Sequence, residues 1–177
     1  MKDEISKNEH LIFLVNEIYK VGEALDIDNI LYNEHCIEAI LAYKLGHTLC
    51  KSTQGPDAFN GTTAIDYKTA NIGTKKCKKQ KNPNVKFQFH WISKNKIEEY
   101  RRYMFNCLVR DNSKFLRLYE VPYELIKPEL EEAYQKGEMK RKQTGKKTGI
   151  DAHVSISEDG LIKRGATIVY FNEHNHS

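Results

Sequence analysis

One segment of the chain gathers two acidic residues and a lysine within a short span. From Gly55 to Lys68 it reads Pro56-Asp57, eight residues, then Asp66-Tyr67-Lys68. Ala58-Phe59 and Thr63 to Thr69 flank Asn60-Gly61, a strong hairpin signal. A hairpin there brings Asp57 beside Asp66. Period two on its second strand puts Asp66 and Lys68 on one face. Two carboxylates and an ammonium then converge. Carboxylates are hard oxygen ligands of the kind Mg²⁺ takes while keeping waters in its shell. The backbone carbonyl of Tyr67 is a candidate further oxygen ligand. A metal so held lowers the pKa of a bound water and offsets charge on a phosphodiester. Lys68 would orient the attacking water or the scissile phosphate. The plainer reading is a turn residue, Asp57, and an exposed strand pair, Asp66–Lys68. The D-x-K spacing alone is common; the full pattern across an Asn-Gly turn is more specific.

The elements that must position these residues follow from periodicity. Leu11, Leu14, Val15, Ile18, Val21, Ala24 and Leu25 recur at helical spacing. A second helix is expected from Glu34 to Leu45, with Gly46 as its C-cap. Beyond His47 the texture turns strand-like. Short strands are expected at His47–Cys50, around the Asn-Gly turn, and at Val85–Ile92. Met104–Arg110 and Phe115–Val121 read as a strand pair joined by Asp111-Asn112-Ser113. Glu98 to Tyr103 reads as too polar for the core. Pro122 to Gln135 reads as a helix, and Gly137 to Gly149 as basic and without apolar period. Val154-Ser155-Ile156 and Thr167 to Phe171 complete the strands. Helices first and then a mixed sheet give an α+β class. The chain is expected to be a single domain, 1–177, with 1–46 helical and 47–177 the core.

Composition agrees with a folded, soluble protein. The chain has 177 residues, 40% hydrophobic and 29% charged, with net charge +4. Its length suffices to bury a core without disulfides or a structural metal. Ten tyrosines and seven phenylalanines argue against disorder. The longest apolar run, Leu11 to Val15, is far too short to span a bilayer. Acids in Met1-Lys2-Asp3-Glu4 and the lack of an apolar stretch argue against a signal peptide. Cys36, Cys50, Cys77 and Cys107 form no C-x-x-C pair. The reducing cytoplasm is the expected compartment.

The segment resembles the active-site motif of the PD-(D/E)xK nucleases. More narrowly, the chain resembles the PvuII-type type II restriction endonucleases. Gly55-Pro56-Asp57-Ala58, Asp66-Tyr67-Lys68 and Ala70-Asn71-Ile72 match the catalytic hairpin of that family. Phe87 to Trp91, Asn95 and Tyr100-Arg101 follow its order of histidine strand, asparagine and tyrosine-arginine. The N-terminal helices and Arg164 to Tyr170 correspond loosely. Asp66 stands where the family has Glu, the loop Gly73 to Asn84 is longer, and the histidine cluster is reduced to His90. Gly149-Ile150-Asp151 replaces an asparagine pair.

The resemblance implies a restriction-endonuclease-like fold and Mg²⁺-dependent cleavage of double-stranded DNA at a short palindromic site. It implies one or two ions per subunit and catalysis by Asp57, Asp66 and Lys68. Tyr100 would then lie near the metals, and Glu38 on the second helix is a candidate to support one. His90 would read base edges, with Gln88 and Asp151 as further candidates. By residue type alone, Gln88 and His90 read as the polar face of a half-buried strand, and Trp91 as core. Lys75, Lys76, Lys78, Lys79 and Lys81, with the basic run 136–147, would be the phosphate footprint. A palindrome cut by one small subunit calls for a homodimer, with the N-terminal helix as the dimer element. A structure-specific or non-specific repair nuclease is one alternative. A basic, non-catalytic DNA-binding protein is another.

Overall fold

The computed structural model describes residues 7–24, 33–50, 55–72, 84–111, 114–145 and 152–169. The class is mixed α+β. The chain divides into two compact units, Met1–Thr62 and Thr63–Ser177.

The first unit holds α1 (Lys7–Ala24), α2 (Asn33–Leu45), β1 (Thr48–Leu49) and β2 (Ala58–Asn60). Helix α2 ends as its glycine predicts. Gly46 takes φ +69°, its N–H donates to Tyr43 O, and His47 N–H donates to Ala42 O. This crossed pair satisfies carbonyls that the helix end would otherwise orphan. β1 and β2 pair antiparallel, Leu49 opposite Ala58. Helix α1 leaves Phe13, Leu14, Ile18, Tyr19 and Val21 exposed.

The second unit is built on β3 (Thr63–Asn71), β5 (Tyr103–Asp111), β6 (Lys114–Pro122) and β8 (Thr167–Val169). These neighbour one another in the order β3-β5-β6-β8. β3 and β5 run parallel; β5–β6 and β6–β8 run antiparallel. β5 is buried along almost its whole length, and its sequence is mostly apolar with little alternation; Asn106 and Arg110 are buried polar exceptions. Between β3 and β5 the chain forms β4 (Lys86–Phe89) and α3 (Lys94–Tyr100). After β6 come a 3-10 turn at Tyr123–Leu125, α4 (Lys127–Thr144), β7 (Val154–Ser157) and α5 (Glu158–Lys163). β4 and β7 form a separate antiparallel ribbon. The core lies between the sheet and this layer, around Phe87, Phe89, Tyr100, Phe105, Tyr119, Ile126, Leu130 and Leu161.

Three expectations are corrected here. Glu98 to Tyr103 is not peripheral: α3 is capped by Ser93, whose Oγ accepts from Lys96 N, and Ile97 and Tyr100 are buried. These two lie three residues apart, so one apolar face coexists with a polar majority. The basic run after Gly137 is helical as far as Thr144. Its lysines and arginine are good helix formers, and Lys136–Glu132 and Arg141–Glu138 pair along the exposed surface. Gly137 has a packing reason, because a Cβ there would meet the Ala152 Cβ at 2.9 Å. Finally, Trp91 is not core. It is 69% exposed, because β4 ends at Phe89 and the alternation stops with it.

Candidate functional site

Strand β3 positions the candidate pair as period two requires. Asp66 stands opposite Phe105 of β5, and Lys68 opposite Cys107. Residues paired in a ladder share a face, so all four side chains point to the same side of the sheet. Asp66 is only 6% exposed. The Nζ of Lys68 forms an ion pair with its Oδ1. That ammonium is the partner this oxygen has among the described residues. A buried carboxylate needs such a compensating charge.

The surroundings are aromatic. Lys68 Nζ lies 5.6 Å from the ring centre of Phe89, within the range of a cation–π contact. Phe89 meets Phe105 edge-on at 5.4 Å. Phe105 in turn meets Tyr100 edge-on at 5.0 Å. Neighbouring groups feel the charges of the pair. Burial pushes the Cys107 thiol up; Lys68 opposes that shift and Asp66 adds to it. Burial also pushes the Tyr103 phenol up, helped by its hydrogen bond to Glu99 and by the charge of Asp66. That hydroxyl donates to Glu99 Oε1 at 2.6 Å. Asp66 and Lys68 therefore act on a low-dielectric wall, where fixed charges interact more strongly than in water.

Asp57 belongs to the first unit. It is half-buried, and its carbonyl accepts from Cys50 N at 2.8 Å. The Cys50 thiol is pushed up by burial and then by the Asp57 carboxylate. Glu38 is half-buried on α2. Tyr67 is buried between Asp66 and Lys68 in sequence, with its side chain on the opposite face of β3. Tyr100 is buried and packs edge-on against Phe105, the register partner of Asp66.

The ribbon sorts its residues as alternation predicts. Phe87 and Phe89 are fully buried, while Gln88 and His90 are exposed. Gln88 Oε1 accepts from Ser155 Oγ at 2.7 Å across the ribbon. His90 faces His153, with ring centres 6.1 Å apart. Trp91 follows with φ +55°, a left-handed conformation costing a bulky residue about 1–3 kcal/mol. Lys75, Lys76, Lys78, Lys79, Lys81 and Asp151 lie outside the described residues.

Comparison with protein-family models and with curated proteins finds no match to this chain. The reading of the site therefore rests on its residues and their geometry.

Sequence reasoning missed three contributors. Phe89 presents its ring to the Lys68 ammonium, which no spacing along the chain announces. His153 stands beside His90 through a pairing that no local signal announces. Glu158 clasps β6: Arg117 Nε and Nη2 donate to its two oxygens at 2.6 and 3.0 Å, and the Tyr119 hydroxyl donates to Oε1. Among the described residues no group of three or more His, Cys, Asp or Glu side chains is gathered around one point.

Proposed function

We propose that the chain is a Mg²⁺-dependent endonuclease of the PD-(D/E)xK type that cuts double-stranded DNA at a short palindromic site, as a type II restriction endonuclease does. The observation that carries this reading is the pairing of the buried Asp66 with the half-buried Lys68, side by side on one face of β3. Its oxygen and ammonium occur at the D-x-K spacing, after Pro56-Asp57.

The donors suit a hard divalent ion. Asp57, Asp66 and the Tyr67 carbonyl would hold Mg²⁺, since carboxylate and carbonyl oxygens are the donors that ion takes. Bound there, the ion would supply an activated water and charge compensation at the phosphate. The protein's own groups do the rest. Lys68, held by Asp66 and the face of Phe89, presents an ammonium to the scissile phosphate or to the attacking water. The aromatic wall keeps bulk water from screening that charge. His90 and Gln88, on the exposed face of a two-stranded ribbon, suit a major groove that is wide enough for such a ribbon. Asp151 and the lysines at 75, 76, 78, 79 and 81 are further proposed DNA contacts. Tyr100 and Glu38 would stand beside the metal.

Cutting both strands of a palindrome with one small subunit requires a two-fold pair. The exposed apolar residues of α1 support a homodimer through that helix. Light scattering should then give twice the 20.6 kDa chain mass.

The deciding experiment is digestion of plasmid DNA with Mg²⁺ and with EDTA, followed by sequencing of the ends. Discrete bands with Mg²⁺ alone are expected. A smear would favour a repair-type nuclease, and intact plasmid with retained DNA binding would leave a non-catalytic binding protein.

A further inference from the structure

A second gathering of ligating atoms lies at the open end of the β4–β7 ribbon. The last paired residues of the ladder are Phe89 and Val154. One position further on, His90 and His153 stand opposite each other. Both are exposed, with ring centres 6.1 Å apart and planes tilted by 30°.

The backbone on either side of the two histidines is fixed. Phe89 precedes His90 and is fully buried. Beyond the pair, Ile92 N–H donates to Ala152 O at 2.9 Å. Ile92 and Ala152 are themselves buried at 5% and 8%. The histidines thus sit between a ladder and a clamping hydrogen bond, each anchored in the core. Their side chains can adjust while their Cα atoms stay put. Two nitrogens at about 2.0–2.1 Å from one shared ion put their ring centres roughly 5–6 Å apart. The observed spacing needs only a small rotation of the rings to reach that range.

We propose that His90 and His153 form a two-imidazole site for a divalent transition-metal ion of the nickel, copper and zinc class, with water completing the shell. Imidazole nitrogen suits these ions, whereas Mg²⁺ prefers oxygen. The site is therefore chemically distinct from the carboxylates of β3. It is also independent of the nuclease reading, because binding can be measured without DNA.

The chain supplies its own reporter. Trp91, its single tryptophan, follows His90 directly and is exposed. The experiment is a titration of the full-length protein with Ni²⁺, and separately Cu²⁺, reading tryptophan fluorescence. A saturable quench is expected with the wild-type chain and none with Mg²⁺. His90→Ala and His153→Ala should each raise the midpoint by roughly tenfold or more, as loss of a ligating group does. Circular dichroism of both variants should be unchanged, since both side chains are exposed. A paired substitution of His174 and His176 should leave the quench as it is. Unchanged midpoints in either single variant, or a quench that follows the tail histidines, would overturn the proposal.

Discussion

Strand β3 and the β4–β7 ribbon both place polar side chains at alternate positions, yet they hold them in opposite surroundings. On β3 the carboxylate of Asp66 is buried, paired with Lys68 and walled by aromatic rings. On the ribbon Gln88, His90, His153 and Ser155 face solvent. On the proposed reading, the contrast separates two tasks. Buried charges on a rigid strand act through a low dielectric and are fixed before any ligand arrives, which suits rate acceleration. Exposed donors and acceptors lose little on meeting a partner, which suits discrimination. Phe89 touches both regions, because its ring faces Lys68 while its strand neighbours Gln88 and His90 face outward.

The contrast breaks if polar residues of the two regions respond alike. The largest effect is expected on β3. Asp66→Asn should abolish cleavage, as should Asp57→Asn. Lys68→Ala should lower turnover by at least roughly 10²–10³-fold while changing DNA affinity far less. Single-turnover rates and binding titrations check this. Loss of affinity with turnover intact would make Lys68 a mere phosphate contact.

Phe89→Ala should cost about 3–5 kcal/mol of stability, as removal of a fully buried aromatic ring does. Urea unfolding gives the value.

His90→Ala should lower discrimination by roughly 1–3 kcal/mol, weakening cognate binding and sparing random duplex. Equal losses on the two duplexes would make His90 a backbone contact.

The Glu158 clasp supplies a pH signature. Burial pushes the Glu158 carboxyl up, but hydrogen bonds from Arg117 and Tyr119 outweigh it, and the net shift is downward. A lowered carboxyl contributes stability above its unfolded value, and that stability is lost as pH falls through the folded one. Burial and the Glu158 hydrogen bond push Tyr119 up to about 12. That contribution is complete below the ordinary tyrosine value and fades as pH rises towards 12. Glu158→Gln should therefore cost about 1–3 kcal/mol at neutral pH and flatten the acid limb of a stability–pH curve. The smallest effect is expected for Gln88→Ala, an exposed position, at within about 0.5 kcal/mol of stability.

Much of this arrangement was legible in the residues. Strands β3, β5 and β6 follow from alternation and from largely apolar stretches bounded by polar turns, and the shared face of Asp66 and Lys68 follows from period two. The alternation of β4 likewise put Gln88 and His90 outside. What could not be read was tertiary. Gln88 and Ser155 are 67 positions apart, and nothing local says that their strands pair, so His153 was not seen beside His90. Which ring would face Lys68 depends on how β4 lies on the sheet. Trp91 was misplaced because the strand period was carried past the strand's end into a left-handed residue. The burial of Tyr100 was missed because two buried positions on a short helix are outweighed in composition by five exposed or half-buried ones.

Gly137 works as a gauge block. The Ala152 methyl rests where a side chain on α4 would begin, and the Ala152 carbonyl holds Ile92. The distance from helix to ribbon end is thus set by the absence of one carbon. Any larger residue at position 137 acts as a wedge, turning side-chain volume into displacement of Ala152, and with it the backbone bond that keeps the two histidine-bearing segments in step. A position in the middle of a basic helix thereby becomes a mechanical adjustment for the far end of the ribbon. Enlarging it from Ala to Val should move that end progressively, with no change to any residue on the ribbon itself.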